Sequence, residues 1–420
     1  MPELTHFAKL DSTERQQTGT TPAEETNYTV SWANLTGAGF SAGDDVLVLV
    51  FAKLRTNNNG SYVRFQVGFG TTYAGRADEA DSYESYEPSG VAAHTMYQYM
   101  WFDRRTLVTN ENIYFSLWRG AAVGTLAAAD EFVCLVLKLS ELASTDWGYA
   151  EAAHSGNAPT TYNTSGASFT TGAAGDWLLL GFTHWLIDSV TADYLVALSA
   201  DGVDYAEAKS EGEDVENEIN WGTAAYRASL GSGKTCRVRY RTDTASSHDA
   251  SATKIFGLRL DAFANHWGAH TTNTITHTVL DTYQEFAGNG AFDISATGKV
   301  LALGFPIHNP LETTHFPYGR IQLANSDFDA TDRNRSAVRD NGVDMRTIPM
   351  LIGYGTVSAG STDWDFDCAE DQDVSSGTFD TCVEQIAAVF TLMLASAGGQ
   401  PAQMRGTTIP GMRQWQPGRR

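Results

Sequence analysis

The segment Leu47-x-Leu49-x-Phe51 recurs as Leu178-x-Leu180-x-Phe182 and as Leu301-x-Leu303-x-Phe305, each time behind a glycine: Gly43, Gly175 and Gly298. The copies lie 131 and 123 residues apart, and a repeat at that scale restricts the fold to copies of one supersecondary unit. Apolar residues spaced by two read as strands. The chain is one β unit used three times.

Four further correspondences keep the same order. Leu135-x-Leu137-x-Leu139, Phe256-x-Leu258-x-Leu260 and Phe390-x-Leu392-x-Leu394 close the three units. Arg64-Phe65-Gln66-Val67 resembles Arg320-Ile321-Gln322-Leu323, with Tyr194 to Leu198 as a looser equivalent. A third strand reads Ile113 to Trp118, Cys236 to Arg241 and Trp364 to Cys368. Trp147-Gly148 and Trp267-Gly268 match as exits from the first two units.

A chain of 420 residues is long enough for three units of roughly 120 residues, each with a core of its own. The expected fold is all-β, with three tandem jelly-roll-like or immunoglobulin-like β-sandwich domains and flexible termini. The pattern leaves the choice between those two topologies open. Boundaries fall at an N-terminal arm over 1–26, a first repeat over 27–149, a linker over 150–166, a second repeat over 167–265, a third over 266–397 and a tail over 398–420. Residues 1–26 are polar and lack alternation, and the Gly, Ala, Asn, Ser and Thr of 150–166 resist packing.

The net charge of -22 excludes a body that grips nucleic acid through clustered Lys and Arg. An acidic surface suits crowded copies that must not stick to one another. Met1 to His6 has no basic or apolar leader character, so no secretory signal is expected. The longest apolar run, Ile386 to Ala397, falls short of the ~20 residues of a membrane helix. Four cysteines do not make a disulfide scaffold, although Cys368 and Cys382 flank one loop and could pair.

Residues 398–420 differ in kind. Arg405, Arg413, Arg419 and Arg420 stand there without an acidic residue, beside Met404, Ile409, Met412 and Trp415. The tail carries +4 and the remainder -26, so Arg405, Arg413, Trp415, Arg419 and Arg420 are the candidate interaction residues, directed at an acidic surface of a neighbouring copy. The competing reading is a frayed end.

Several chemical motifs fail on context. Gly231-Ser232-Gly233-Lys234-Thr235 has Ala228 where a phosphate loop needs Gly, and a strand follows instead of a helix; it reads as a hairpin turn. Asn57-Asn58-Asn59-Gly60 reads as a tight reversal. His266 and His270 have metal-ligand spacing only on a helix, which Gly268 opposes. Asp363, Asp365 and Asp367, with Asp327, Asp329 and Asp332, could hold calcium but lack the Gly and closing Glu of a calcium loop, and a solvated strand face is the expectation. No cofactor, metal or catalytic residue is assigned.

The repeats, the acidic body and the charged tail together resemble a structural protein of a tailed-bacteriophage virion, a head-decoration, head-fibre or tail-attached display protein. The resemblance implies folding in the host cytoplasm, assembly on a virion with copies of itself and other virion proteins, no enzymatic activity, no nucleic-acid partner and no membrane insertion. Copies are expected to meet through unit faces, because weak linkers cannot fix three domains in one arrangement. Two rivals remain. A carbohydrate-binding receptor-recognition protein would expose aromatics such as Tyr83, Tyr86, Tyr97, Tyr99 and Trp101 and bind a host-surface glycan; a tail-associated polysaccharide-degrading enzyme would need an acid pair in a groove.

Overall fold

The computed structural model describes residues 1–395 apart from 57–62, 83, 87–96, 120–126, 155–159, 164–165, 188–192, 212–217, 243–248, 273, 277–282, 310–314, 325, 329–350 and 373–380. The first unit contains β1 (His6–Asp11), β2 (Arg15–Gln17), β3 (Ala23–Glu24), β4 (Asp45–Thr56), β5 (Val63–Gly70), β6 (Ala77–Asp78), β7 (Glu84–Tyr86), β8 (Tyr97–Thr106), β9 (Asn112–Arg119) and β10 (Ala127–Lys138). The second contains β11 (Trp147–Ala153), β12 (Ser168–Thr170), β13 (Gly175–Ile187), β14 (Asp193–Ala200), β15 (Val203–Glu211), β16 (Glu218–Leu230), β17 (Thr235–Thr242) and β18 (Asp249–Arg259). The third contains β19 (His266–Thr271), β20 (Ile275–Thr276), β21 (Gln284–Ile294), β22 (Gly298–Asn309), β23 (His315–Leu323), β24 (Ser326–Asp327), β25 (Leu351–Val357), β26 (Gly360–Gln372) and β27 (Thr381–Thr391).

Each unit is two antiparallel sheets with one strand order. In the second unit these are β11-β18-β13-β16 and β12-β17-β14-β15. Counted within the unit, strand one pairs with eight, two with seven, three with six and four with five. That nesting is a long eight-stranded hairpin rolled over on itself, which is a jelly roll and not an immunoglobulin sandwich. The first unit repeats it as β1-β10-β4-β8 and β3-β9-β5-β6, and the third as β19-β27-β22-β25 and β21-β26-β23-β24. Before β4, a short helix α1 (Trp32–Gly37) begins at a capping box of Ser31 and Asn34 and buries Leu35.

The N-terminal segment is not an arm. β1 pairs with β10 from His6 opposite Leu137 to Asp11 opposite Phe132, so it is the first strand of the first jelly roll. Its polar residues hid it because an edge strand has one partner and a solvated side. Likewise Trp147-Gly148 and Trp267-Gly268 are not exits: β11 pairs with β18 and β19 with β27, which makes each the opening strand of the following unit. Part of the expected linker, Ala150 to Ala153, therefore lies inside β11. The true connections are short. A 3-10 turn (Leu139–Glu141) precedes β11, another (Leu260–Ala262) precedes β19, and Arg259 clamps the first connector by donating Nε to Asp146 Oδ1 at 2.7 Å.

Leu47, Leu178 and Leu301 do occupy one buried position, at 3%, 2% and 1% exposure. Their partners in the closing strands are Leu137, Leu258 and Phe390, so in the third unit Phe390, not Leu392, is the equivalent of Leu137. A slip of two residues keeps the same face, and the sequence pattern could not detect it.

The turn at one of the two Gly-containing motifs joins sheets instead of making a hairpin. Gly231 to Lys234 connects β16 to β17 in the opposite sheet, with Gly233 at φ 75°, a conformation glycine adopts freely. Residues 57–62, which include the Asn-Gly pair, lie outside the described residues, yet the flanking β4 and β5 also belong to different sheets.

Candidate functional site

The repeated Leu-x-Leu-x-Phe strand is buried on both faces. In β22, Val300 and Ala302 join Trp364, Phe366, Ala387 and Val389 in a core private to the third unit. Leu301, Leu303 and Phe305 join instead a core that extends through the first and second units. In β13 the same division holds: a Cβ on Gly181 would meet Leu198 and Val238 of the facing sheet at 3.0 Å, so Leu178, Leu180 and Phe182 point away from that sheet. The repeat motif is the surface by which the units hold one another.

Residues directly opposite across antiparallel strands share a face. Three rows follow from the registers: His6, Leu137, Leu47 and Arg104; Trp147, Leu258, Leu178 and Arg227; His266, Phe390, Leu301 and Tyr354. The end of each row meets the start of the next. The Arg104 guanidinium lies over the Trp147 ring, 5.4 Å from its centroid. Arg227 donates to Asp176 Oδ2 at 2.7 Å, and His266 Nε2 is 3.9 Å from the same oxygen. Tyr354 makes an edge contact with His6, 5.7 Å between centroids, which closes the cycle from the third unit back to the first.

The backbone seals that last seam. Leu4 donates to Leu392 O at 2.6 Å and Leu394 donates to Pro2 O at 2.8 Å. On the other side of the same stretch, Ala264 donates to Met393 O at 2.8 Å. The three units therefore meet one another within one chain, and the short connectors do not leave them without a fixed arrangement, as the linker composition had suggested.

The first seam carries buried charge. Lys254 Nζ lies 3.2 Å from Asp103 Oδ1 and 4.9 Å from the Trp101 ring centroid, and the Tyr149 hydroxyl donates to Asp103 Oδ1 at 2.5 Å. Phe182 and Phe102 meet edge to face across it, 6.2 Å between centroids. The second seam is a network of Arg227, Asp176, His266 and Asp261, with His266 Nε2 3.3 Å from Asp261 Oδ1. The hydrogen bond from His266 holds the Asp261 carboxyl below its ordinary value of 3.8, against the burial that raises it.

A depressed carboxylate contributes stability above its ordinary value and loses it as pH falls through the depressed one. Asp261→Asn is therefore expected to lower stability near neutrality, where the carboxylate's contribution is fully present, and to flatten the acid limb so that the two curves converge at low pH, as read from denaturant midpoints over a pH series. An acid limb unchanged by the substitution would contradict the assignment.

The five candidate interaction residues Arg405, Arg413, Trp415, Arg419 and Arg420 lie outside the described residues, as do Asp329 and Asp332. Of the aromatic candidates for a sugar surface, Tyr99 and Trp101 are core residues. Tyr83 lies outside the described residues and the side chains of Tyr86 and Tyr97 are not described. His266 and His270 sit on a strand, where His270 packs edge-on against Tyr226. Asp363, Asp365 and Asp367 alternate with buried Trp364, Phe366 and Cys368. Burial, then the neighbouring Asp363 and Asp367 charges, push Asp365 up against the pull of Arg320, which donates to Asp367 at 2.7 Å. Among the described residues no group of three or more His, Cys, Asp or Glu is placed to hold a metal ion, and no helix is long and apolar enough to cross a membrane. Cys368 lies in the third unit's core, while the side chain of Cys382 is not described.

Compared with known proteins, the chain matches no family and no curated sequence. Among solved structures it is similar to the tandem CBM22 domain of Paenibacillus barcinonensis Xyn10C (11% identity, 59% of this chain and 90% of that one, TM-score 0.20). It is also similar to the STIV MCP (7% identity, 58% and 97%, TM-score 0.24) and to a triple jelly roll of an archaeal virus turret assembly (11% identity, 89% and 90%, TM-score 0.19). Likenesses at these TM-scores carry no weight for function. The jelly-roll assignment rests on strand order alone.

Proposed function

We propose that this chain is a non-enzymatic structural protein of a virus particle, in the finer reading a decoration, fibre or display protein of a tailed bacteriophage. The observation that supports it is the cyclic closure of three jelly rolls within one chain, through rows that meet end to end. Jelly rolls serve as capsid and lectin domains alike, so fold by itself is an analogy. The closure adds a reason: apolar area that could have shaped a ligand groove is spent on making one block of three units, which is what a building part requires. The acidic exterior keeps such blocks apart until a specific contact is made.

Electron microscopy of particles made with and without the encoding gene tests this directly. Density for a three-lobed block on the particle is expected, and its absence from every particle would end the proposal. A glycan array and a reducing-sugar assay address the rival readings; saturable glycan binding or sugar release by the purified chain would replace the structural role.

The tail supplies a second test. Deleting residues 399–420 is expected to leave all three units folded, since β27 ends at Thr391. Assembly should weaken, and the deficit should match that of the intact chain at raised salt, because four positive charges act on an acidic partner over about a Debye length. Equal assembly of truncated and intact chains at low and high salt would reduce the tail to a frayed end.

A further inference from the structure

The first seam holds the parts of an intramolecular amide-forming site, and we propose that Lys254 condenses with Asp103 to link the second unit covalently to the first. Lys254 is 1% exposed and Asp103 is 7% exposed, with Nζ 3.2 Å from Oδ1. Lys254 stands in β18 directly opposite Glu151 on one side and Phe182 on the other, and it reaches across to β8 of the first unit. Removing two charges from water is costly, and their mutual attraction offsets the cost only partly. A neutral amide removes both charges at once. The interior thus favours the condensed product, which water outside would not.

The surrounding groups have roles in such a step. Proton transfer from the Lys254 ammonium to the Asp103 carboxylate, 3.2 Å away, gives the amine and carboxylic acid from which an amide can form. The amine attacks Asp103 Cγ, and the Tyr149 hydroxyl, 2.5 Å from Oδ1, stabilises the oxygen on which charge develops. Glu151 Oε2 lies 3.2 Å from the same hydroxyl and Glu151 is exposed, so it connects the site to solvent for proton exchange. One C–N bond forms, one C–O bond breaks, and the departing oxygen leaves as water with one proton from the acid and one from the amine. No oxidant, metal or co-reactant enters. Fixed proximity of the reacting groups replaces the activation that amide formation otherwise needs.

The consequence is mechanical. The link would tie edge strand β8 to β18 and make the first seam unable to open without breaking a covalent bond, a property that complements the cyclic closure. It goes beyond the proposed structural role and stands or falls apart from it, since the measurement uses the isolated chain.

Intact-mass spectrometry of the purified full-length protein, fresh and after prolonged incubation, is the test. The expected mass is that of the sequence less one water, with a branched proteolytic peptide containing both Asp103 and Lys254. Lys254→Arg keeps the charge pair, and so the fold, but cannot form this amide; its mass should equal the sequence mass. Tyr149→Phe should slow the appearance of the linked form, by about 10²-fold if the hydroxyl acts as an oxyanion donor. A wild-type chain that retains the full sequence mass after incubation overturns the proposal. So does a water loss that maps elsewhere, for example to the buried contact of Lys53 with Glu131, or one that persists in Lys254→Arg.

Discussion

Phe182→Ala should destabilise the whole chain by about 3–5 kcal/mol, through lost burial and the cavity left behind. Phe182 is 2% exposed and meets Phe102 of the neighbouring unit. The lost contacts belong to a seam, so the effect is expected in a single cooperative transition that includes the first unit, and not as early melting of the second unit alone. Urea unfolding followed by tryptophan fluorescence reads both, because Trp101 lies in the first unit, Trp177 in the second and Trp364 in the third. An unchanged midpoint, or three transitions of which one moves, would show that the units are held more loosely than the shared core implies. Phe51→Ala and Phe305→Ala, at the equivalent positions, should behave alike.

The second unit expressed by itself, residues 147–263, is expected to aggregate or to associate with itself. Cut from its neighbours it exposes Leu178, Leu180, Phe182, Phe256 and Leu258 on one sheet face, a contiguous apolar patch of the kind that monomers rarely leave open. Changing Leu178, Leu180 and Phe182 together to threonine should restore a soluble monomer without touching Trp177 and Leu179, since the two sets point to opposite faces of β13. Sedimentation velocity of both versions decides it. A wild-type excised unit that is monomeric at micromolar concentration would contradict the inter-unit role of the repeat.

The tail deletion and Asp261→Asn act on charge interactions, which are weaker than the burial of a core side chain. Their expected effects are smaller and depend on salt or pH, whereas the two core predictions do not.

Period-two alternation, the triplication and the unit size were legible because they depend only on which residues avoid water. The runs Val46-Leu47-Val48-Leu49-Val50-Phe51 and Trp177-Leu178-Leu179-Leu180 also carried a signal that the Leu-x-Leu-x-Phe spacing concealed: strands apolar at every position are buried on both faces. That signal pointed to the seams, but the repeat drew attention to alternate residues alone. The opening strands β1, β11 and β19 could not be placed from sequence. They are edge strands with mixed burial, and their pairing with β10, β18 and β27 spans from 99 to 131 positions along the chain.

Sequence by itself determined that this chain makes three similar, acidic, β-rich units, since hydrophobic spacing and charge are local properties of the polypeptide. Only the tertiary structure decided that the units are jelly rolls, that Trp147 and Trp267 open units instead of leaving them, and that the repeated motif faces other units. Those facts depend on nested long-range pairing and on what lies opposite an apolar face. Spacing along a chain records that such a face is covered, but not by what. The pairing of Asp103 with Lys254 is of the same kind: two charges 151 positions apart, one in each unit, become neighbours only when Leu178, Leu180 and Phe182 draw the two sheets together.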